Sequence, residues 1–76
     1  MRAYLLVSTE AERQQEVTKR LRATAGVTWA YGILGRADLA VRVEATGLRE
    51  FRRTLEAANA IPGVVRTQTL LDLEAL

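Results

Sequence analysis

Seventy-six residues, 49% of them apolar, 26% charged and 5% aromatic, make one globular domain, 1–76, rather than a disordered chain. The chain has no Cys and no His, which excludes disulfide frameworks, zinc fingers, thiol nucleophiles and histidine general bases. The net charge is +2, and the Arg residues are interleaved with acids, as in Glu50-Phe51-Arg52-Arg53-Thr54-Leu55-Glu56, so these runs read as solvated helix faces rather than a polyanion site.

Arg2 to Ser8, centred on Leu5-Leu6-Val7, reads as a first strand. Thr9 stands three residues before Glu12, a capping-box spacing that predicts a helix from about Glu10 to Ala23. Val17 and Leu21 face inward in that helix, and Glu16 is spaced to meet Arg20. Gly26 ends it. Val27 to Leu34 reads as a second strand, with Val27, Trp29, Tyr31 and Ile33 on one face. Gly35-Arg36-Ala37-Asp38 is a turn, and Leu39 to Ala45 a third strand paired antiparallel with the second. Thr46 caps a second helix with the stripe Leu48, Phe51, Leu55 and Ala58. Pro62-Gly63 closes it, and Val64 to Leu73 is a fourth strand.

The order is βαββαβ. A register of 37 positions relates Thr9 to Thr46, Gly26 to Gly63 and Val27 to Val64, which marks two similar halves. Two split βαβ units predict an α+β, ferredoxin-like sandwich with antiparallel strand order 4-1-3-2 and both helices on one face. The uncovered face is then unusual. The first strand offers Tyr4/Leu6 as well as Leu5/Val7, and the fourth offers Val65/Leu71/Leu73 as well as Val64/Leu70. Both sheet faces are apolar while the helices cover one, which predicts a homodimer of the dimeric αβ-barrel type. A monomer with scattered surface apolar residues is the blander account.

No pair of carboxylates shares an evident cleft, and Gly32-Ile33-Leu34-Gly35 is no phosphate loop. The common RNA module of this fold needs aromatics on its central strands, and the third strand here has none. Thr67 and Thr69, two apart on a strand, send their hydroxyls to one face. Thr is also an ordinary strand residue, and Asp38 an ordinary turn residue.

Gly35-Arg36-Ala37-Asp38-Leu39-Ala40-Val41-Arg42-Val43, followed by Ile61-Pro62-Gly63-Val64-Val65-Arg66-Thr67-Gln68-Thr69, resembles the effector-binding (RAM) domain of the Lrp/AsnC, or feast/famine, transcriptional regulators. The resemblance spans essentially the whole chain. It implies dimers that assemble into rings, with a small amino acid held between dimers at positions matching Gly35, Arg36, Ala37, Asp38, Thr67 and Thr69. The position before the Asp is often aromatic in that family and is Ala37 here. The regulators carry an N-terminal helix-turn-helix and this chain opens on the first strand, so the expectation is a stand-alone module without direct DNA binding.

In the 4-1-3-2 order the Asp38 turn and the strand carrying Thr67 belong to opposite edges, three spacings of ~4.8 Å or roughly 14 Å apart. A neighbouring subunit is therefore expected to bring its 35–38 turn to this strand. Asp38 would accept a ligand ammonium, and Arg36, the Thr hydroxyls and backbone amides near Gly35 would meet its carboxylate. The expected protein is a cytoplasmic, non-enzymatic, amino-acid-sensing oligomerisation module without a cofactor. Its partner would be a second copy or a full-length regulator, with no membrane attachment. The alternatives are a cofactor-free dimeric αβ-barrel oxygenase or isomerase, with a pocket near Tyr4, Trp29 or Tyr31, and a purely structural assembly domain.

Overall fold

Strict alternation builds the centre of the sheet. In strand β1 (Arg2–Thr9), Ala3, Leu5 and Val7 are fully enclosed while Tyr4 and Leu6 remain half-buried on the other side. The computed structural model, which describes residues 1–75, continues with α1 (Gln14–Arg22), β2 (Val27–Gly32), β3 (Leu39–Glu44), α2 (Leu48–Asn59) and β4 (Val64–Leu71). A short 3-10 turn, Leu73–Ala75, follows. The strands form one antiparallel sheet in the order β2-β3-β1-β4. This is the expected 4-1-3-2 ferredoxin-like arrangement read from the opposite edge.

The core lies between the sheet and the two helices. Leu39, Val41 and Val43 of β3 join the β1 residues there, with Val17 and Leu21 from α1 and Phe51 and Ala58 from α2. Enclosing side chains of the size of Leu5, Leu21 or Leu39 contributes about 1.5–3 kcal/mol each. The 37-residue register survives at two of its three points. Gly26 (φ 94°) and Gly63 (φ 102°) both take the left-handed conformation after a helix, and Val27 and Val64 both open strands.

Neither Thr acts as a helix cap. Thr9 remains in β1 opposite Val64, and α1 begins at Gln14, after Glu12 has taken a positive φ of 69° that no helix tolerates. A tertiary bond to Asp38 competes for Thr9, as described below. Gly47, in extended conformation, precedes α2 in place of Thr46 and supplies no side-chain cap. Glu16 pairs with Arg13 at 3.6 Å rather than with Arg20. In the α2 stripe Leu48 is exposed, and Thr54 takes the inner place, its hydroxyl donating to the Ala25 carbonyl at 2.9 Å.

Two bulges re-aim the edge strands. In β2, Val27 lies opposite Val43 and Trp29 opposite Arg42, so Thr28 is an extra residue. Val27 therefore packs on the core, while Trp29 and Tyr31 turn to the uncovered face, whereas simple alternation puts all three together. In β4, Val64 lies opposite Thr9 and Arg66 opposite Ser8, with Val65 the extra residue. Val64 packs on the core, and Leu70, opposite Tyr4, faces outward. Both edge strands are shorter than their apolar runs: β2 stops at Gly32 and β4 at Leu71.

The open face thus carries Tyr4, Leu6, Trp29, Tyr31, Ala40 and Leu70. Tyr4 and Trp29 have ring centroids 6.1 Å apart, and Trp29 and Tyr31 5.6 Å. These aromatics form a row on the sheet rather than the wall of an internal pocket. No helix among the described residues is long and apolar enough to cross a membrane.

Candidate functional site

The segment between β2 and β3 is fastened by Asp38. Its backbone N–H donates to the Val7 carbonyl at 2.9 Å, and its carbonyl accepts from the Ile33 N–H at 3.0 Å. The Gln14 side-chain amide donates to the same carbonyl at 3.1 Å. One carboxylate oxygen, Oδ2, accepts the Thr9 backbone N–H at 2.7 Å. The last bond is charge-assisted and partly buried, the stronger kind. Asp38 therefore ties β1, the start of α1 and the loop to one another.

This fastening carries the loop over the end of β1 toward β4. Arg36 and Ala37 reach a shallow cleft of about 440 Å³, lined also by Leu6, Ser8, Arg66, Thr67 and Gln68. The expected distance of some 14 Å counts three spacings from β2, whereas Asp38 leads into β3, two spacings from β4, and is bonded directly to β1 between them. Arg36, Ala37 and Thr67 line one cleft within a single chain.

The other predicted positions fall outside the cleft. Gly35 holds the bend at a positive φ of 143°. Thr67 and Thr69 stand opposite Val7 and Leu5, which places both hydroxyls on the helix side of the sheet. The Thr67 hydroxyl donates to the Asn59 side-chain oxygen at the end of α2, at 2.9 Å. Thr67 thus borders the cleft, while its hydroxyl serves β4–α2 packing. Asp38 stands behind the loop and Thr69 on the reverse of the sheet.

Ser8, Arg66 and Gln68 join the cleft; Arg66 and Gln68 lie inside the 61–69 segment beside the expected Thr67 and Thr69, and no motif marks Ser8. Ser8 and Arg66 are cross-strand partners, as are Leu6 and Gln68, all on the open face. The signal is the regular antiparallel β1–β4 register, which runs unbroken from Ala3/Leu71 to Ser8/Arg66; the bulge at Val65 shifts only Val64, opposite Thr9.

A second charged group occupies the other end of the open face. Arg2 donates to Glu44 at 2.8 Å, Arg42 donates to the same oxygen at 3.0 Å, and Arg2 also lies 3.8 Å from Asp72. Hydrogen bonds from Arg2, then Arg42, hold the Glu44 carboxyl below its ordinary range, and Glu44 in turn raises Arg2. Arg42 Nε is buried without a partner among the described residues. Among the described residues no three His, Cys, Asp or Glu side chains cluster as a metal site would require.

Comparison with solved structures places this arrangement. The chain is similar to FFRP-DM1, at 30% identity over 95% of this chain and 97% of that one, TM-score 0.87. TTHA0845 from Thermus thermophilus is 25% identical over 99% of this chain and 95% of that one, TM-score 0.90. The transcriptional regulator NMB0573 from Neisseria meningitidis, solved as an L-Met complex, shares the fold at 21% identity, TM-score 0.77; 95% of this chain matches half of that one. No curated relative matches the chain. The profile of the Lrp/AsnC ligand binding domain matches residues 2–76, and the chain belongs to that family of regulatory ligand-binding domains.

Proposed function

We propose that the chain binds a small amino acid as effector and that its subunits associate through the open face of the sheet. The observation that carries this reading is the one-sided core. Tyr4, Leu6, Trp29, Tyr31 and Leu70 stay uncovered on the face opposite the helices, where a second copy would bury them. The cleft that joins Arg36 and Ala37 to β4 opens on that same face, so a neighbouring subunit would complete its walls. Arg36 is the group for a ligand carboxylate, and Asp38 holds the loop that presents it. The L-Met complex of the Neisseria regulator is consistent with an amino acid as the ligand class. Binding would shift the assembly, or its hold on a partner such as a full-length regulator of the same family.

The test is light-scattering mass with and without each of the twenty amino acids, together with calorimetry. A dimer or larger assembly, and heat with at least one amino acid, are expected. A monomer at micromolar concentration would remove the association, and twenty silent titrations would remove the effector.

A further inference from the structure

The cleft under the 35–38 loop is not neutral. Two of its seven lining residues are Arg36 and Arg66, and none is acidic. Five ion pairs join side chains among the described residues, and neither of these guanidiniums takes part in one. The nearest candidate counter-ion by sequence, Asp38, gives Oδ2 to the Thr9 N–H behind the loop. Two like charges in one concavity repel each other, and an anion relieves both. Ser8 and Gln68 add a neutral hydroxyl and amide on the same face.

The loop's position is not incidental. Five bonds through Asp38, one each to Val7, Ile33 and Gln14 and two to Thr9, hold it across β1. Arg36 is thus presented to β4 before any ligand arrives, which lowers the ordering cost of binding. A neutral amino acid has one carboxylate and could satisfy one guanidinium. An acidic amino acid has two, and Arg pairs with carboxylates through paired N–H donors. A cleft of about 440 Å³ lies within the ~300–1,000 Å³ range of small-molecule sites.

We infer that this cleft selects acidic amino acids, with Arg36 taking one carboxylate and Arg66 the other. The inference rests on the effector reading above and narrows its ligand to a dicarboxylate. The test is calorimetry of the full chain with glutamate, aspartate, glutamine, asparagine and leucine, repeated on R36Q and R66Q. Both arginines are exposed, and circular dichroism checks that the variants fold as the wild type. Glutamate or aspartate should bind at least tenfold tighter than its amide. Each Arg variant should lose at least tenfold in affinity for the acid, and the acid–amide difference should shrink. Amides or leucine binding as tightly as the acids would overturn the charge selection and leave effector binding standing. Wild-type affinity for the acids in both Arg variants would also overturn it. Silence with both acids would overturn the charge selection, and silence across the twenty amino acids of the earlier titration would remove the effector reading itself.

Discussion

At the scale of single residues, Asp38 shows how a position expected to meet a ligand can be structural. Its carboxylate replaces water at a partly buried Thr9 N–H, and its own N–H and carbonyl are both used within the chain. Asp38→Ala leaves that N–H without its charged acceptor, at a cost of about 1–3 kcal/mol. Amide exchange at Thr9 should accelerate in the variant, together with exchange across residues 33–38. An unchanged Thr9 protection factor would show that the bond contributes nothing. Gly26 is the other position where one atom decides. A Cβ there would run into the Thr54 hydroxyl and lie 3.2 Å from its methyl, at a backbone φ of 94°. Gly26→Ala should cost about 2–3 kcal/mol, combining left-handed strain with disturbance of the Thr54–Ala25 bond. Urea unfolding measures it; a midpoint equal to wild type would mean that the α1–β2 turn relaxes freely.

At the scale of elements, the charged ladder between β1 and β3 sets a pH dependence. Glu44 is held below its ordinary value of 4.5 by Arg2 and Arg42. A carboxyl lowered on folding contributes stability above the unfolded pKa, and that stability is lost as pH falls through the folded one. The difference between wild type and Glu44→Gln in urea midpoint should therefore be largest near neutrality and vanish on the acid side. High salt should shrink it, since the pair is exposed. A difference independent of pH would mean that packing, not charge, is what the substitution changes. The elements themselves were largely legible: alternation in Ala3 to Val7, the Phe51 to Ala58 stripe and the paired glycines led directly to the strand order. The caps and the edge-strand faces were not. Thr9 and Thr46 carry local signals, but the Asp38 bond claims Thr9 from 29 residues away and an extended Gly47 displaces Thr46. Bulges at Thr28 and Val65 flip side chains without any mark in composition. Long-range pairing also hid the cleft: Arg66 and Ser8 become neighbours only through the β1–β4 ladder.

At the scale of the whole molecule, two kinds of surface divide the fold. The outer sides of the helices are charged, with Arg49, Arg52, Arg53 and Lys19 exposed. The centre of the open sheet face is aromatic and aliphatic, with Arg2, Arg42 and Glu44 at one end and Arg66 at the other, and the buried Arg42 Nε lacks an acceptor among the described residues. Arg22 guards one edge of that face: its Nε donates to the Ala30 carbonyl of β2 at 2.9 Å, and its guanidinium lies 5.4 Å from the Tyr31 ring. This blunts an edge strand that would otherwise invite strand-to-strand pairing, which favours the proposed association through the face. Leu70 tests that direction. It is 43% exposed and lies opposite Tyr4, so Leu70→Arg should change the stability of an isolated subunit by no more than about 0.5 kcal/mol. In a face-to-face pair the same change puts an unpaired charge into an apolar contact and should dissociate it. Leu48→Arg, on the outer side of α2, introduces the same charge outside the face and should leave the mass unaltered. Light scattering at micromolar concentration reads both variants. Trp29 emission should shift to the red in Leu70→Arg alone, as its half-buried ring gains water. A wild type that already scatters as a single 8.4 kDa chain, or a Leu70→Arg that keeps the wild-type mass, would remove the face as the contact.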